Sequence, residues 1–384
     1  MHMQSKIKVM TIFGTRPEAI KMAPLICELE KHPEKIESIV TVTAQHREML
    51  DQVLTIFNIV PDYDLNIMKD KQTLTDITTE GLKGLNDIMK RVLPDIILVH
   101  GDTTTTFIAS LAAFYNQIPI GHVEAGLRTN NKLSPYPEEV NRQLTGILAD
   151  LHFVPTIAAA NNLWKEGKTD HIYITGNTVI DALPFTIQND YSHPVLKKVG
   201  NQRFILLTAH RRENLGKPLS QVFLAIHQLL EEHDDLHVIY PVHLNPNVHE
   251  MAYQMFDNHP RIHLIKPLDV IDFHNIARQA YLILTDSGGI QEEAPSLGVP
   301  VLVLRDKTER PEGVEAGVLK LVGTDTNTII SQTNYLLTNK DVYDNMAQTS
   351  SPYGDGEASK RIVHILLYYF NKTEGLPSEF KPKH

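Results

Sequence analysis

A chain of 384 residues, 42% of them hydrophobic, is too long for one ordinary hydrophobic core and has enough apolar side chains for two. Its formal net charge of -10, from 46 acidic and 36 basic residues, offers no basic stripe to hold a nucleic-acid backbone, so nucleic acid is not an expected partner. Cys27 is the single cysteine, which rules out an internal disulfide and a thiolate-built zinc site and fits a reducing compartment.

From the N-terminus, short β-rich apolar runs recur: 7-IKVMTIF-13, 38-SIVTVTA-44, 95-DIILVHG-101, 119-PIGHVEAG-126, 151-LHFVPT-156 and 172-IYITGN-177. Each is followed by a polar turn and a segment of helical period, the signature of strands buried on both faces and crossed over by helices. After a polar break at 190–202 the pattern restarts with 204-FILLTAH-210, 236-LHVIYPVH-243, 261-RIHLIKPL-268, 282-LILTDSGG-289, 300-PVLVLRD-306 and 318-VLKLVGT-324. The segment 356-GEASKRIVHILLYYFNK-372 closes the series as a long amphipathic helix. The expected fold is α/β: two Rossmann-like, doubly wound parallel-sheet domains of about six strands each, facing a central cleft. No run of about eighteen apolar residues occurs and no apolar stretch precedes a cleavage site, so a soluble cytoplasmic protein with no membrane contact is expected.

Several cofactor signatures are missing. There is no Gly-x-Gly-x-x-Gly, so a dinucleotide is not expected, and 14-GTRPEAIK-21 lacks the second glycine of a P-loop. Neither His-Glu-x-x-His nor an Asp-x-Asp-x-Asp-Gly loop occurs, and the 19 histidines are scattered, so neither a metal nor an organic cofactor is expected.

In an open parallel sheet the ligand lies beyond the carboxyl ends of the strands. The residues there are Gly14-Thr15-Arg16, Gly101-Asp102-Thr103, Glu124-Ala125-Gly126, His210-Arg211-Arg212, His243 and Ser287-Gly288-Gly289, a dense set of acids, bases and anion binders. Each has a plain alternative. Asp102, ahead of 103-TTTT-106, reads equally as a helix N-cap. Glu124 follows a buried-looking run, where a carboxylate needs a task or an ion pair with an arginine. Glu138 and Arg142 are four apart and read as a surface salt bridge. The His210 to Arg212 stretch is either a phosphate site or a solvated basic turn, and Phe273 reads as core. Cys27 and Trp164 read as packing residues. The Ser-Gly-Gly turn before 290-IQEEAP-295 suits an anion at a helix N-terminus, while Glu292 and Glu293 stand in the way of a bare phosphate.

Taken together, 13-FGTRPEAIKMAPL-25, 99-VHGDTTTT-106, 122-HVEAGLRT-129, 135-PYPEEVNR-142, 176-GNTVIDAL-183, 208-TAHRRENLG-216, 240-YPVHLNPNV-248, 284-LTDSGGIQEEAPSLGVPVLVLRDKTERPE-312 and 352-PYGDGEAS-359 resemble the non-hydrolysing UDP-N-acetylglucosamine 2-epimerases of bacteria, over about Lys6 to Tyr369. The resemblance implies a glycosyltransferase-B architecture, with an N-terminal domain at 1–175, a UDP-binding domain at 176–359, and a C-terminal helix at about 360–384 packing back on the first. It implies interconversion of UDP-GlcNAc and UDP-ManNAc by elimination of UDP to 2-acetamidoglucal and re-addition, feeding cell-surface polysaccharide or teichoic-acid linkage, in a homodimer without cofactor. By resemblance Asp102, Glu124 and Glu138 are the acid/base candidates, Arg142 their catalytic partner, and His210 the residue that helps the leaving group. Arg16, Lys21 and Arg310 go with the ligand, Phe273 with the uracil, Ser287, Gly288 and Gly289 with the phosphates, and Glu293 with the ribose hydroxyls. Gln45, Glu138, Arg211 and His243 match a second, regulatory UDP-GlcNAc site of some members; Glu48 and Lys71 depart from that pattern. Glu292 is left with complementarity to the helix dipole. A UDP-sugar transferase of the same architecture, a hydrolysing epimerase and a non-catalytic UDP-sugar sensor are the alternatives.

Overall fold

The computed structural model describes residues 5–45, 47–69 and 71–382 and divides into two compact units, one reaching to Phe185 and resuming over Tyr353–Lys381, the other spanning Thr186–Pro352. In the first, β1 (Ile7–Phe13), β2 (Ile36–Val42), β3 (Tyr63–Asp64), β4 (Ile96–His100), β5 (Ile120–Val123), β6 (Leu151–Val154) and β7 (Ile172–Ile174) form one parallel sheet in the order β3-β2-β1-β4-β5-β6-β7. Every side chain of β4 is buried, which is why it reads as an unbroken apolar run. Helices Arg16–Leu29 and Ala358–Tyr369 cover one face, with Leu25, Leu29, Ile362 and Leu366 packed against Val9 and Phe13. On the other face Ile88, Ile108 and Ala112, from Leu74–Val92 and Thr104–Tyr115, close over Met10, Ile12 and Val99. Each such Leu or Ile contributes about 1.5–3 kcal/mol on burial.

The second unit holds β8 (Arg203–Thr208), β9 (Leu236–Pro241), β10 (Ile262–Ile265), β11 (Leu282–Thr285), β12 (Val301–Val303) and β13 (Leu319–Leu321), again all parallel, in the order β10-β9-β8-β11-β12-β13. All twelve apolar runs of the sequence are strands. The thirteenth, β3, is two residues long and carries no alternation to read.

The units part at 185/186 and 352/353, against 175/176 and 359/360 expected from the sequence. Hydrogen bonds account for the difference. Asp181, on helix Thr178–Thr186, accepts from the backbone N–H of Ser359 (2.7 Å) and of Ala358 (3.3 Å), so it caps the C-terminal helix from outside. The Asn177 N–H donates to the Tyr353 carbonyl at 2.7 Å. Burial pushes the Asp181 carboxyl up to about 6 against those bonds.

In each sheet the first strand of its half lies beside the fourth, β1 against β4 and β8 against β11. The strand order reverses there, so the loops leaving these pairs are the places where such a sheet takes a ligand. Among the described residues no helix is long and apolar enough to cross a membrane.

Candidate active site

In the first unit the site begins with a buried carboxylate that sequence reasoning missed. Glu18 Oε2 accepts from the backbone N–H groups of Gly14 (3.0 Å) and Thr15 (2.8 Å), and Oε1 accepts from the hydroxyls of Thr103 (2.6 Å) and Thr106 (3.1 Å). One side chain thereby ties the loop after β1 to the loop after β4. Burial pushes its pKa up, opposed by hydrogen bonds from Thr103, Gly14 and Thr15. The signal was present: Thr15 and Glu18 form a Thr-x-x-Glu capping box. Gly14 passes so close to Thr43 that a Cβ would stand 2.0 Å from its hydroxyl.

Asp102 is not the helix cap. Thr103 takes that place, its hydroxyl accepting from the Thr106 N–H at 3.1 Å. Asp102 instead pairs with Arg142, Oδ2 to Nη2 at 2.7 Å. Burial lifts its carboxyl to about 6, with Arg142 and Lys21 opposing the rise and the charges of Glu124 and Glu138 adding to it. Arg142 is 8% exposed, so the surface salt bridge expected with Glu138 gives way to a buried arginine held by Asp102 and, at 3.5 Å, by Glu139. Glu139, fully buried, is fixed by the backbone N–H groups of Thr129 (3.0 Å) and Asn130 (3.1 Å); Glu138, half-buried, is the neighbour left facing Asp102.

Glu124 does have an ion-pair partner, and it is Lys21 rather than an arginine. The carboxylate oxygen that takes the Lys21 ammonium also accepts from Asn177 Nδ2 at 2.9 Å, while its Oε2 lies 3.7 Å from His100 Nε2. Burial drives His100 down to about 4, so it is neutral at pH 7 and adds no positive charge. The Glu124 backbone is left-handed, with φ of +61°. For a side chain of this size that conformation costs on the order of 1–3 kcal/mol and is found where the surroundings enforce it, as at functional sites. Next door, His122 Nε2 lies 2.7 Å from the Gly101 carbonyl, pinning the turn that carries Asp102.

Gln45 belongs to the first unit, where its amide oxygen accepts from the Thr105 hydroxyl at 3.3 Å. Glu48 lies in the first turn of helix Arg47–Ile56, and Lys71 has a φ of +55°. Of the four residues expected at a regulatory site, Gln45 and Glu138 are thus in one unit and Arg211 and His243 in the other. Arg16 stands at the first position of helix Arg16–Leu29, in the loop leaving β1.

In the second unit the loops after β8 and β11 meet. The backbone N–H groups of His210 (2.9 Å) and Arg211 (2.8 Å) donate to Asp286 Oδ2, and the His210 ring stacks on His243 with centroids 4.9 Å apart and planes within 8°. Burial lowers the His210 pKa, opposed by the charge of Asp286. The side chain of Arg212 lies outside the described residues. Ser287 begins helix Gly288–Glu293 and its hydroxyl makes no cap bond. A Cβ on Gly288 would lie 3.5 Å from Arg211 Nη2 and 3.9 Å from Arg310 Nη2, so two guanidinium groups flank a turn whose first N–H groups point off the helix end. Arg211, read from the sequence both in a basic turn that suits phosphate and at a regulatory site, supplies one of these two guanidinium groups.

Glu292 has more than the helix dipole to account for it: 2% exposed, it is ion-paired with Arg310 and so holds one of those guanidinium groups. Glu293 is set by His274, Nε2 to Oε2 at 3.3 Å, and His274 by Thr186, Nδ1 to Oγ1 at 2.7 Å. Phe273 is only half-buried, edge-on to His274, and is not the core residue that its apolarity suggested. Among the described residues no group of three or more His, Cys, Asp or Glu side chains is placed to hold a metal ion. One unit thus holds the carboxylates of Asp102, Glu124 and Glu138 with Arg142, and the other a glycine turn flanked by Arg211 and Arg310, with His210 and His243 on a neighbouring loop pair.

A family model described as UDP-N-acetylglucosamine 2-epimerase matches residues 27–367. Over 98% of its length the chain is 62% identical to the whole of a UDP-N-acetylglucosamine 2-epimerase from Bacillus subtilis (strain 168). Its structure resembles the crystal structure of UDP-GlcNAc 2-epimerase from Neisseria meningitidis bound to UDP-GlcNAc, with a TM-score of 0.86 and 51% identity, covering 94% of this chain and 100% of that one. The Methanocaldococcus jannaschii UDP-GlcNAc 2-epimerase in complex with UDP-GlcNAc and UDP matches with a TM-score of 0.79 and 34% identity, over 94% and 100% of the two chains.

Proposed function

The chain belongs to the UDP-N-acetylglucosamine 2-epimerase family, and we propose that it inverts C2 of UDP-N-acetylglucosamine without hydrolysis, by eliminating UDP to 2-acetamidoglucal and adding it back. The C2–H is not next to a carbonyl and is barely acidic, so its removal has to be concerted with loss of a good leaving group. As the C1–O bond breaks, its electron pair leaves on the β-phosphate oxygen and the C2 proton passes to a carboxylate. Return of UDP to C1 with a proton delivered to the opposite face of C2 gives UDP-ManNAc.

The observation that carries this reading is the carboxylate group of the first unit, with Asp102 lifted to about 6 by burial and, among its neighbours, the charges of Glu124 and Glu138. A base whose pKa lies near the working pH is ionised yet readily protonated, which suits a group that must take and return a proton. Asp102, Glu124 and Glu138 are assigned as the acid/base set, with Arg142 holding Asp102. His210 assists departure of the diphosphate, which Ser287, Gly288, Gly289 and Arg310 bind by hydroxyl, backbone N–H and guanidinium groups. Glu293 accepts from the ribose hydroxyls, Phe273 lies on the uracil, and Arg16 and Lys21 attend the ligand's negative charge. UDP-GlcNAc, UDP-ManNAc and UDP are the small-molecule partners, the protein works in the cytoplasm, and the ManNAc unit goes to cell-surface polymers.

In heavy water, UDP-GlcNAc should gain deuterium at C2 and part of it should appear as UDP-ManNAc by NMR. Recovery of unlabelled sugar would remove the epimerase mechanism; free ManNAc with accumulating UDP would indicate the hydrolysing reaction, and transfer to an added acceptor without exchange would indicate a transferase.

A homodimer is proposed as well. Phe114 (57% exposed) and Tyr115 (65%) end helix Thr104–Tyr115, and Ile147 (70%) and Leu144 (37%) lie on the adjacent helix Glu138–Leu148, so large apolar side chains stand exposed on two neighbouring helices where a second copy could cover them. Sedimentation equilibrium should give twice the monomer mass, shifting toward monomer in Phe114→Glu; a monomeric wild type would end this assignment.

A further inference from the structure

We propose that Asp286 is the positioning residue for His210, orienting its imidazole and balancing its positive charge while the diphosphate departs. The inference rests on the epimerase reading for the chemistry His210 performs, and on geometry alone for the pairing.

Asp286 is fully buried. Its Oδ2 takes three donors: the N–H of His210 (2.9 Å), the N–H of Arg211 (2.8 Å) and Asn214 Nδ2 (3.0 Å). Asn214 is itself anchored to the Leu304 carbonyl at 3.1 Å, so the carboxylate cannot swing. Its other oxygen, Oδ1, is buried and has no hydrogen-bond partner among the described residues. An unmet acceptor of this kind is costly, more so when charged. Oδ1 lies 3.7 Å from His210 Nδ1, slightly beyond a hydrogen bond. A small rotation of the ring closes that gap, and it leaves Nε2–H directed away from Asp286 toward a ligand.

The charges around the ring explain why such a partner is needed. His243, at the end of β9, stacks on it, and Arg211 follows it in the chain; both disfavour a proton on His210, as does burial. Asp286, at the end of β11, is the one group of this set that favours it. An imidazolium held by Asp286 presents Nε2–H to the β-phosphate oxygen as the C1–O electron pair arrives there, and keeps its own proton throughout. A neutral ring in its Nε2–H form would donate as well, but without the charge, and hydrogen bonds from a charged donor are about twice as strong.

Two measurements on the full chain test this. In the wild type, 15N shifts of the neutral His210 ring should report the proton on Nδ1, facing Asp286; the Nε2–H tautomer overturns the proposal, whatever any variant does. In Asp286→Asn, the His210 NMR titration midpoint should fall by about one pH unit or more, and the alkaline limb of kcat should move down by the same amount with KM for UDP-GlcNAc little changed. A uniform loss of kcat at every pH with an unmoved His210 midpoint would make Asp286 a loop anchor only, and overturn it. Both titrations are read without turnover, so a wild type that shows the Asp286–His210 pairing but no exchange at C2 would leave the pairing intact and remove the epimerase reading instead.

Discussion

Asp102→Asn should lower turnover by about 10²-fold or more if Asp102 acts in the proposed proton transfer, with UDP affinity little changed. Asparagine keeps the size of the side chain and an oxygen for Arg142, whose other carboxylate, Glu139, stays in place. What it loses is the ability to accept a proton. In the wild type, with Asp102 near 6, kcat/KM should fall on the acid side with an apparent pKa close to that value, and this limb should be missing or displaced in the variant. The stability signature runs the other way. A carboxyl whose pKa is higher folded than unfolded binds its proton more tightly in the folded protein, so its contribution weakens the fold as pH rises from the ordinary aspartate range to about 6. Above pH 6 the asparagine variant is therefore spared that penalty and should unfold no earlier than the wild type. A variant that loses its fold and not its turnover would return Asp102 to a structural role.

The second large effect is on stability. Gly126 has a φ of +86°, and a Cβ there would lie 2.3 Å from the Ala159 carbonyl oxygen and 2.9 Å from its carbon. Both are backbone atoms of helix Ile157–Lys165, whose own start is fixed by the Thr156 cap on the Ala159 N–H and which returns a bond from Asn162 Nδ2 to the Gly126 carbonyl at 2.9 Å. Neither side can yield cheaply. Gly126→Ala should cost about 1–2 kcal/mol for the left-handed backbone and a further 1–3 kcal/mol for the overlap. Gly167, with a φ of +83° and nothing within 4 Å of its Cβ position, is the control that carries the first cost without the second. Trp164, the single tryptophan, sits on that same helix, so its fluorescence in a denaturant titration follows this unit specifically. Equal losses in the two variants would show that the loop relaxes and that the overlap is not felt.

How far the sequence carried the structure depended on whether a feature was local. Strands buried on both faces write themselves as apolar runs, and the polar residues that follow them mark the ligand end of the sheet, so Asp102, Glu124, His210 and the Ser-Gly-Gly turn stood out. Partners were a different matter. Lys21 and Glu124 are 103 positions apart, and Asp286 reaches His210 across 76; nothing within a window of a dozen residues relates them. Glu138 and Arg142 looked paired because four residues make a helical neighbour, yet the arginine turns inward to Asp102, where a buried cation finds a compensating charge. Glu292 was opaque for the same reason, its partner Arg310 lying 18 residues on in a different element. The left-handed backbone at Glu124 leaves no mark in composition at all.

That backbone sets position 124 against itself. Geometry at a φ of +61° favours glycine or asparagine, while the reaction proposed for this chain assigns a carboxylate there. A redesign that scores residues only by backbone comfort will therefore pick glycine or asparagine here, removing a carboxylate of the proposed acid/base set together with the partner of Lys21. Under the proposed function, backbone comfort and chemistry pull in opposite directions at this one residue, so Glu124→Gln, which keeps the shape and a hydrogen-bond acceptor but not the charge, separates the two demands when turnover and unfolding are both measured.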